Sequence, residues 1–264
     1  MQRGFSSLGC PEFSLDEVLA LARAQDIPTV ELRALGGTLD LPAWFAAHYG
    51  TPAGLAARMQ TEPVRIVALD TSLKLAGTTG EEWQATIESF LPWAEALGGL
   101  KLRVFDGGTA GSAAEIAAMT ERFSWWQGLR QARGWRSQLM VETHDCLFTA
   151  AAVSALIAAA PGVRILWDSH HTWKRGGEDP VTTWRALAPH VSHIHVKDSV
   201  SRPSAKLSYS YVLPGEGEFP AAELMRVLQA EYQGEICLEW EKLWHPYLTS
   251  MESALVSAAQ RQWW

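Results

Sequence analysis

Eight short apolar runs alternate with helical stretches along 264 residues, and this rhythm predicts an α/β fold, a single (β/α)8 TIM barrel spanning residues 1–264. Two further observations support that class over an open doubly wound sheet. No linker or composition break divides the chain, and the Gly-rich turn that would hold a dinucleotide after the first strand is missing.

The runs follow in order. Phe5 to Leu8 is a weak first strand, turned by Gly9-Cys10-Pro11 toward a helix in which Ser14 and Glu17 form a capping box and Leu15, Val18, Leu19 and Ala22 share one face. Thr29 to Leu35 is the second, closed by Gly36-Gly37. A helical stretch from Pro42 to Met59, interrupted near Gly50-Thr51-Pro52, leads to the third, Val64 to Leu69, which stops at Asp70. The helix Glu81 to Leu97 is halted by Gly98-Gly99. Leu100 to Phe105 follows as the fourth strand, and Asp106-Gly107-Gly108 breaks it before a helix from Ser112 to Arg133. Gln138 to Val141, helix Ala150 to Ala159 and Val163 to Trp167 come next, the sixth strand stopping at Asp168. After helix Pro180 to Leu187, Val191 to Asp198 is the seventh. A Ser-, Pro- and Gly-rich loop then runs to Gly217. An amphipathic helix from Pro220 to Tyr232 precedes the eighth strand, Glu235 to Leu238.

Bulk properties narrow the function. A formal net charge of -7 argues against nucleic acid and anionic membranes as partners, because neutralising phosphates takes clustered Lys and Arg. Small neutral or polar molecules fit better. Cys10, Cys146 and Cys237 are too few and scattered for a disulfide framework, and the segment Met1 to Ser7 lacks the apolar centre of a signal peptide, so a cytoplasmic location is expected. The Ala-rich run ending at Pro161 is too short to span a bilayer. The pairs Trp125-Trp126 and Trp263-Trp264 are the expected contact patches if the barrel forms a homo-oligomer.

In such barrels the active site forms where the strands end. Here the fifth ends Val141-Glu142-Thr143-His144-Asp145, the sixth Trp167-Asp168-Ser169-His170-His171, the seventh carries His193 and His195 ahead of Val196-Lys197-Asp198, and the eighth ends Leu238-Glu239-Trp240-Glu241. A carboxylate at one strand end often only caps the next helix. Four consecutive strands converging on carboxylates and imidazoles are different, since burying them together is costly unless a cation or bound protons offset the repulsion. His195 is therefore expected to be one of four metal ligands, each on a different strand. Three carboxylates and an imidazole favour Mn2+, Mg2+ or Co2+, with Zn2+ also acceptable, and no organic cofactor is expected.

Glu142, Asp168-Ser169-His170-His171, His195-Val196-Lys197-Asp198, Pro214-Gly215-Glu216-Gly217 and Leu238-Glu239-Trp240-Glu241 together resemble the xylose-isomerase-like TIM-barrel superfamily, which includes sugar phosphate isomerases and epimerases, inosose dehydratases and abasic-site endonucleases. The resemblance implies a divalent-metal-dependent isomerase or epimerase acting on a sugar, keto-sugar or cyclic polyol through an enediolate. By position it implies the metal ligands Glu142, Asp168, His195 and Glu239, with Glu142 and Glu239 also the catalytic acid/base pair. His171 and Lys197 fall at substrate-facing positions, as does Arg202 with a shifted offset. Lys197 has an alternative in a salt bridge to Asp198 or Glu216. His170 exceeds the family pattern, and so does Glu241, which is a further candidate for touching substrate. His193 reads as a hydrogen-bonded residue of the barrel interior, Asp198 as a loop-ordering group, and Arg103 as a lone cation that does not establish a phosphorylated substrate. An inosose dehydratase-like lyase shares the first proton abstraction. An abasic-site endonuclease would use additional histidines on the early strands, which here offer Glu31-Leu32-Arg33 and Leu69-Asp70-Thr71. A glycoside hydrolase using Glu142 and Glu239, and a catalytically silent sugar-binding barrel, complete the alternatives.

Overall fold

A computed structural model describes residues 1–264. Ten strands form: β1 (Gln2–Ser6), β2 (Thr29–Leu32), β3 (Arg65–Lys74), β4 (Lys101–Phe105), β5 (Gln138–Glu142), β6 (Arg164–Asp168), β7 (Val191–Val196), β8 (Asp198–Val200), β9 (Ser210–Val212) and β10 (Glu235–Leu238). Eight of them close into a barrel of parallel neighbours in the order β1-β2-β3-β4-β5-β6-β7-β10, and β8 and β9 form a separate antiparallel hairpin. This is the expected (β/α)8 barrel.

Local chemistry accounts for the helices. Ser14 and Ser112 both form capping boxes, with Glu17 and Glu115, while Asp40, Thr51, Thr79, Thr149, Asp179 and Ser250 cap through their side-chain oxygens. Gly134 ends the helix Ala113–Arg133 at φ 65°, a left-handed value that favours glycine. The apolar faces of these helices and the outer faces of the strands merge into one core of 66 buried residues. Its tryptophans include Trp126 and Trp263, only 2% and 6% exposed. The two Trp pairs are thus anchored in the core rather than spread as surface patches, and the large exposed apolar residues are instead Trp244 and Tyr247. No helix is long and apolar enough to cross a membrane.

Several boundaries differ from expectation for identifiable reasons. The first strand is Gln2–Ser6, because Ser6 caps a 3-10 turn at Ser7–Gly9. The second stops at Leu32, where the Ser7 hydroxyl accepts from the N–H groups of Arg33 and Ala34 and lifts the chain off the sheet. The segment expected as one long loop contains the β8–β9 hairpin, and two unanticipated helices, Ser169–Lys174 and Met251–Gln260, complete the chain.

Alternation along the strands stacks the barrel interior in layers. At the bottom, Lys101 Nζ lies 2.5 Å from Glu235 Oε2 and donates to the Ser192 carbonyl at 2.7 Å. Ala68, Met140 and Leu166 form a small apolar cluster apart from the main core. Two residues further along their strands stand Asp70, Glu142 and Asp168. The same step takes Lys101 to Arg103 and Cys237 to Glu239. Gly4 is required on β1, since a Cβ there would lie 2.5 Å from Thr29 Oγ1 and 2.7 Å from Cys237 Sγ. Cys237 is a fully buried free thiol, as expected.

Candidate metal centre

Register brings the strand-end donors together. Asp168 pairs with His195 across β6 and β7, and β10 runs beside β7 so that Glu239 emerges just beyond Leu238. Glu142, the last residue of β5, completes a group whose donor atoms all lie within 4.8 Å of one another. None of the four residues is more than 5% exposed. His195 Nδ1 sits 3.6 Å from Glu142 Oε1 and 3.5 Å from Glu239 Oε2, while its other nitrogen, Nε2, lies 2.9 Å from both oxygens of Glu31.

The charges do not balance within the protein. Glu31, Asp70, Glu142, Asp168, Glu239 and Glu241 face the permanent cations Arg33, Arg103 and Lys197. Lys197 Nζ is 2.7 Å from Asp168 Oδ2 and 2.6 Å from Glu241 Oε1, and also contacts Glu239 Oε2. Its partners are therefore neither Asp198 nor Glu216: the former is saturated by backbone N–H groups and the latter pairs with Arg261. Arg103 Nη1 lies 3.1 Å from Glu142 Oε2, and Nη2 3.6 Å from Asp70 Oδ2, with its guanidinium 4.0 Å above the Phe105 ring. Arg33, 3% exposed, reaches only the Asp70 carbonyl and the Ser72 hydroxyl and has no carboxylate partner.

Protons are retained as a result. Burial, reinforced by Glu239 and Glu142 against the pull of Lys197, pushes the Asp168 carboxyl up to about 6. Burial and the Glu31 charge raise Asp70 well above the carboxylate range, outweighing Arg103. His195 is held well above its ordinary value, because Glu31 and Glu239 overcome the burial that would lower it. Glu239 goes the other way, Lys197 and His195 overcoming desolvation. Both oxygens of Glu142, both of Asp70 and Nδ1 of His195 are buried without a well-formed hydrogen bond. Bare carboxylate oxygens, and an imidazole Nδ1 that has no hydrogen-bond partner and would give up its proton to a metal, suit a hard or borderline divalent cation.

The remaining expected residues divide. His171 lies beside the cluster, with Nδ1 3.1 Å from the Thr143 carbonyl and 3.2 Å from Asp168 Oδ2. It lines a cavity of about 330 Å³ together with His144, Tyr211 and Glu241. A smaller adjoining cavity of about 40 Å³ is bounded by Arg33, Arg103, His144, Glu239 and Trp244. Glu241 holds both Lys197 and, at 2.8 Å, the Tyr211 hydroxyl. His170 instead turns to Ser199 Oγ at 2.7 Å among Trp173, Tyr209, Tyr211 and Phe219. Arg202 is not brought to the cluster: it is exposed in the turn joining β8 to β9, where its backbone bonds Val200 and Ser210. Sequence reasoning missed Glu31, Asp70 and Arg33 as members of the site. The available signal was charged residues at buried, inward-facing strand positions.

A family model described as xylose isomerase-like TIM barrel matches residues 19–261. The chain belongs to that family. No curated protein matches this xylose isomerase-like barrel significantly. Solved structures do. The probable 3-DHS dehydratase AsbF, involved in petrobactin synthesis in Bacillus anthracis, is 17% identical, with 99% of this chain and 98% of that chain covered and a TM-score of 0.79. The IOLI protein with a binding zinc atom is 16% identical at a TM-score of 0.73, covering 99% and 96%. An AP endonuclease, family 2, from Brucella melitensis is 18% identical at a TM-score of 0.68, covering 98% and 99%. At these identities the likeness concerns the fold.

Proposed function

We propose that this xylose isomerase-like barrel is a divalent-metal-dependent enzyme that moves a proton at the carbon beside a carbonyl in a small sugar, keto-sugar or cyclic polyol, as an isomerase or epimerase. The observation that carries the reading is the four-donor cluster of Glu142, Asp168, His195 and Glu239, in which both Glu142 oxygens and His195 Nδ1 lack a hydrogen-bond partner. A divalent cation, when bound there, supplies Lewis-acid polarisation that acidifies the C–H next to the carbonyl. Glu142 and Glu239 take up and return the proton. Arg103 beside Glu142 and Lys197 beside Glu239 hold both carboxylates ionised against the cost of burial, as a base requires. Burial and the Lys197 charge hold His171 well below its ordinary value and hence neutral. With Nδ1–H donated to the Thr143 carbonyl, its Nε2 is left as an acceptor for a substrate hydroxyl. Lys197 presents an ammonium to oxygen that gains negative charge. A small molecule suits the -7 net charge better than a nucleic acid does.

A second reading, loss of water after the same proton abstraction, draws on two observations. Lys197 places an ammonium among Asp168, Glu239 and Glu241 that can hydrogen-bond a departing hydroxyl, and Arg33 offers a buried cation in the same small cavity as Glu239 that would favour an anionic substrate. The similarity to a probable 3-DHS dehydratase is compatible with this.

Incubation of the Mn2+-loaded protein in deuterated water with ketoses, aldoses, inososes and 3-DHS separates the two. Deuterium beside the carbonyl of an otherwise intact or epimerised sugar supports the first, and an unsaturated product with loss of water supports the second. Undiminished turnover after metal removal would sink both.

A further inference from the structure

Beneath the cluster, on the side away from solvent, lies a carboxylate that the proposed reaction leaves unused. Glu31 stands in the middle of β2, fully buried, and reaches across the barrel interior to β7. We infer that Glu31 is a positioning residue that fixes the His195 ring, placing the hydrogen on Nε2 and leaving Nδ1 as the metal donor. The inference rests on the four-donor reading of the cluster.

Three observations carry it. His195 Nε2 lies 2.9 Å from each oxygen of Glu31, and an ionised carboxylate only accepts, so Nε2 must carry hydrogen. Nδ1 has no hydrogen-bond partner and faces Glu142 and Glu239 at 3.6 and 3.5 Å, in the same group of donors. His193 Nε2 donates to Oε2 of the same carboxylate at 2.7 Å, so Glu31 is gripped by two imidazoles two residues apart on β7 and cannot swing away. A metal-binding histidine whose far nitrogen donates to a carboxylate keeps one tautomer and gains basicity, and loss of such a partner typically costs ten- to a hundredfold in metal affinity. His193, inward-facing but without a place in the donor cluster, acquires a purpose as the clamp on Glu31.

The test measures Zn2+ binding by titration calorimetry and reads the His195 tautomer by NMR of the Zn2+-loaded protein carrying isotope-labelled histidine. Wild type is expected to show hydrogen on Nε2 and metal on Nδ1. Glu31→Gln, which retains shape but not charge, should bind Zn2+ about ten- to a hundredfold more weakly. His193→Gln, which leaves Glu31 in place, should weaken binding in the same direction by a smaller factor. That variant also serves as the test should Glu31→Gln fail to fold. Metal on Nε2 in wild type overturns the inference, as does Zn2+ affinity in both variants equal to that of wild type. Either outcome leaves the metal reading standing. A wild type that binds no divalent ion overturns the metal reading itself.

Discussion

Asp106 and Glu142 stand at the ends of adjacent strands, both buried, and the fold treats them in opposite ways. Asp106 accepts four backbone N–H groups, from Gly107 and Asp145 on one oxygen and from Cys146 and Leu147 on the other. It stitches the loop after β5 to the end of β4. Asp198 does the same on the far side of the mouth, accepting from Ser199, Phe219, Gly215 and Gly217. Glu142 accepts no backbone N–H and stands among other acids with Arg103 at 3.1 Å and His195 at 3.6 Å against it. A carboxylate saturated by backbone donors is part of the wall. Glu142, part of the floor and without backbone donors, is held ionised by the cations around it and keeps its oxygens open to another.

Breaking the floor should have the largest effect. Glu239→Gln is expected to lower divalent-metal affinity by at least about a hundredfold, more than loss of an outer partner would, and to reduce turnover to background, as read by calorimetry and by deuterium incorporation. Lys197→Met should cost about 3–5 kcal/mol in urea unfolding, because it strips the shared counter-charge from Asp168, Glu239 and Glu241. A loss below 1 kcal/mol would mean that those acids are neutral in the fold.

The wall and the floor should then part company in their response to metal. Asp106→Asn, which replaces an acceptor with a donor facing backbone N–H groups, is expected to destabilise by about 1–3 kcal/mol. Glu142→Gln leaves the buried Arg103 without its nearer carboxylate and should also destabilise, but unlike Asp106→Asn it should remove the added stability that a divalent metal gives wild type. An equal metal-induced gain in both variants, read by urea unfolding, would erase the distinction. Asp168 sharpens it through pH. Its carboxyl is raised from 3.8 to about 6 in the folded chain, so the folded state binds its proton more tightly than the unfolded state does. This contribution is fully present below about pH 4 and is lost as pH rises through about 6. Thermal unfolding of metal-stripped Asp168→Asn, compared with wild type, should therefore show a flatter decline across that window. The smallest effect is expected at Arg202→Ala, exposed in the hairpin turn: stability within about 0.5 kcal/mol and unchanged metal affinity. A tenfold rise in KM would bring that turn into contact with substrate.

The strand ends were legible because each closes a recognisable apolar run. Glu142, Asp168 and Glu239 could be read that way, and so could the capping box at Ser14, whereas the one at Ser112 emerged only in the structure. Lys197 was legible as a charge but not in its partners. Asp198 follows it directly in the chain, yet the ammonium points into the barrel while the Asp198 carboxylate folds back over its own loop. Glu31 was read only as part of a strand end without histidine. Its partners His193 and His195 lie 162 and 164 residues away.

Composition, alternation and caps by themselves determined the barrel rhythm and which residues end the strands, because these depend on neighbours a few positions apart. Closure decided the rest. Only when β1 joins β10 does Glu31 come within reach of His195, Arg33 line the same small cavity as Glu239, and Asp70 become fully buried. Charge interactions fall with distance and strengthen with burial, and both are set by the closed barrel rather than by any segment of the chain.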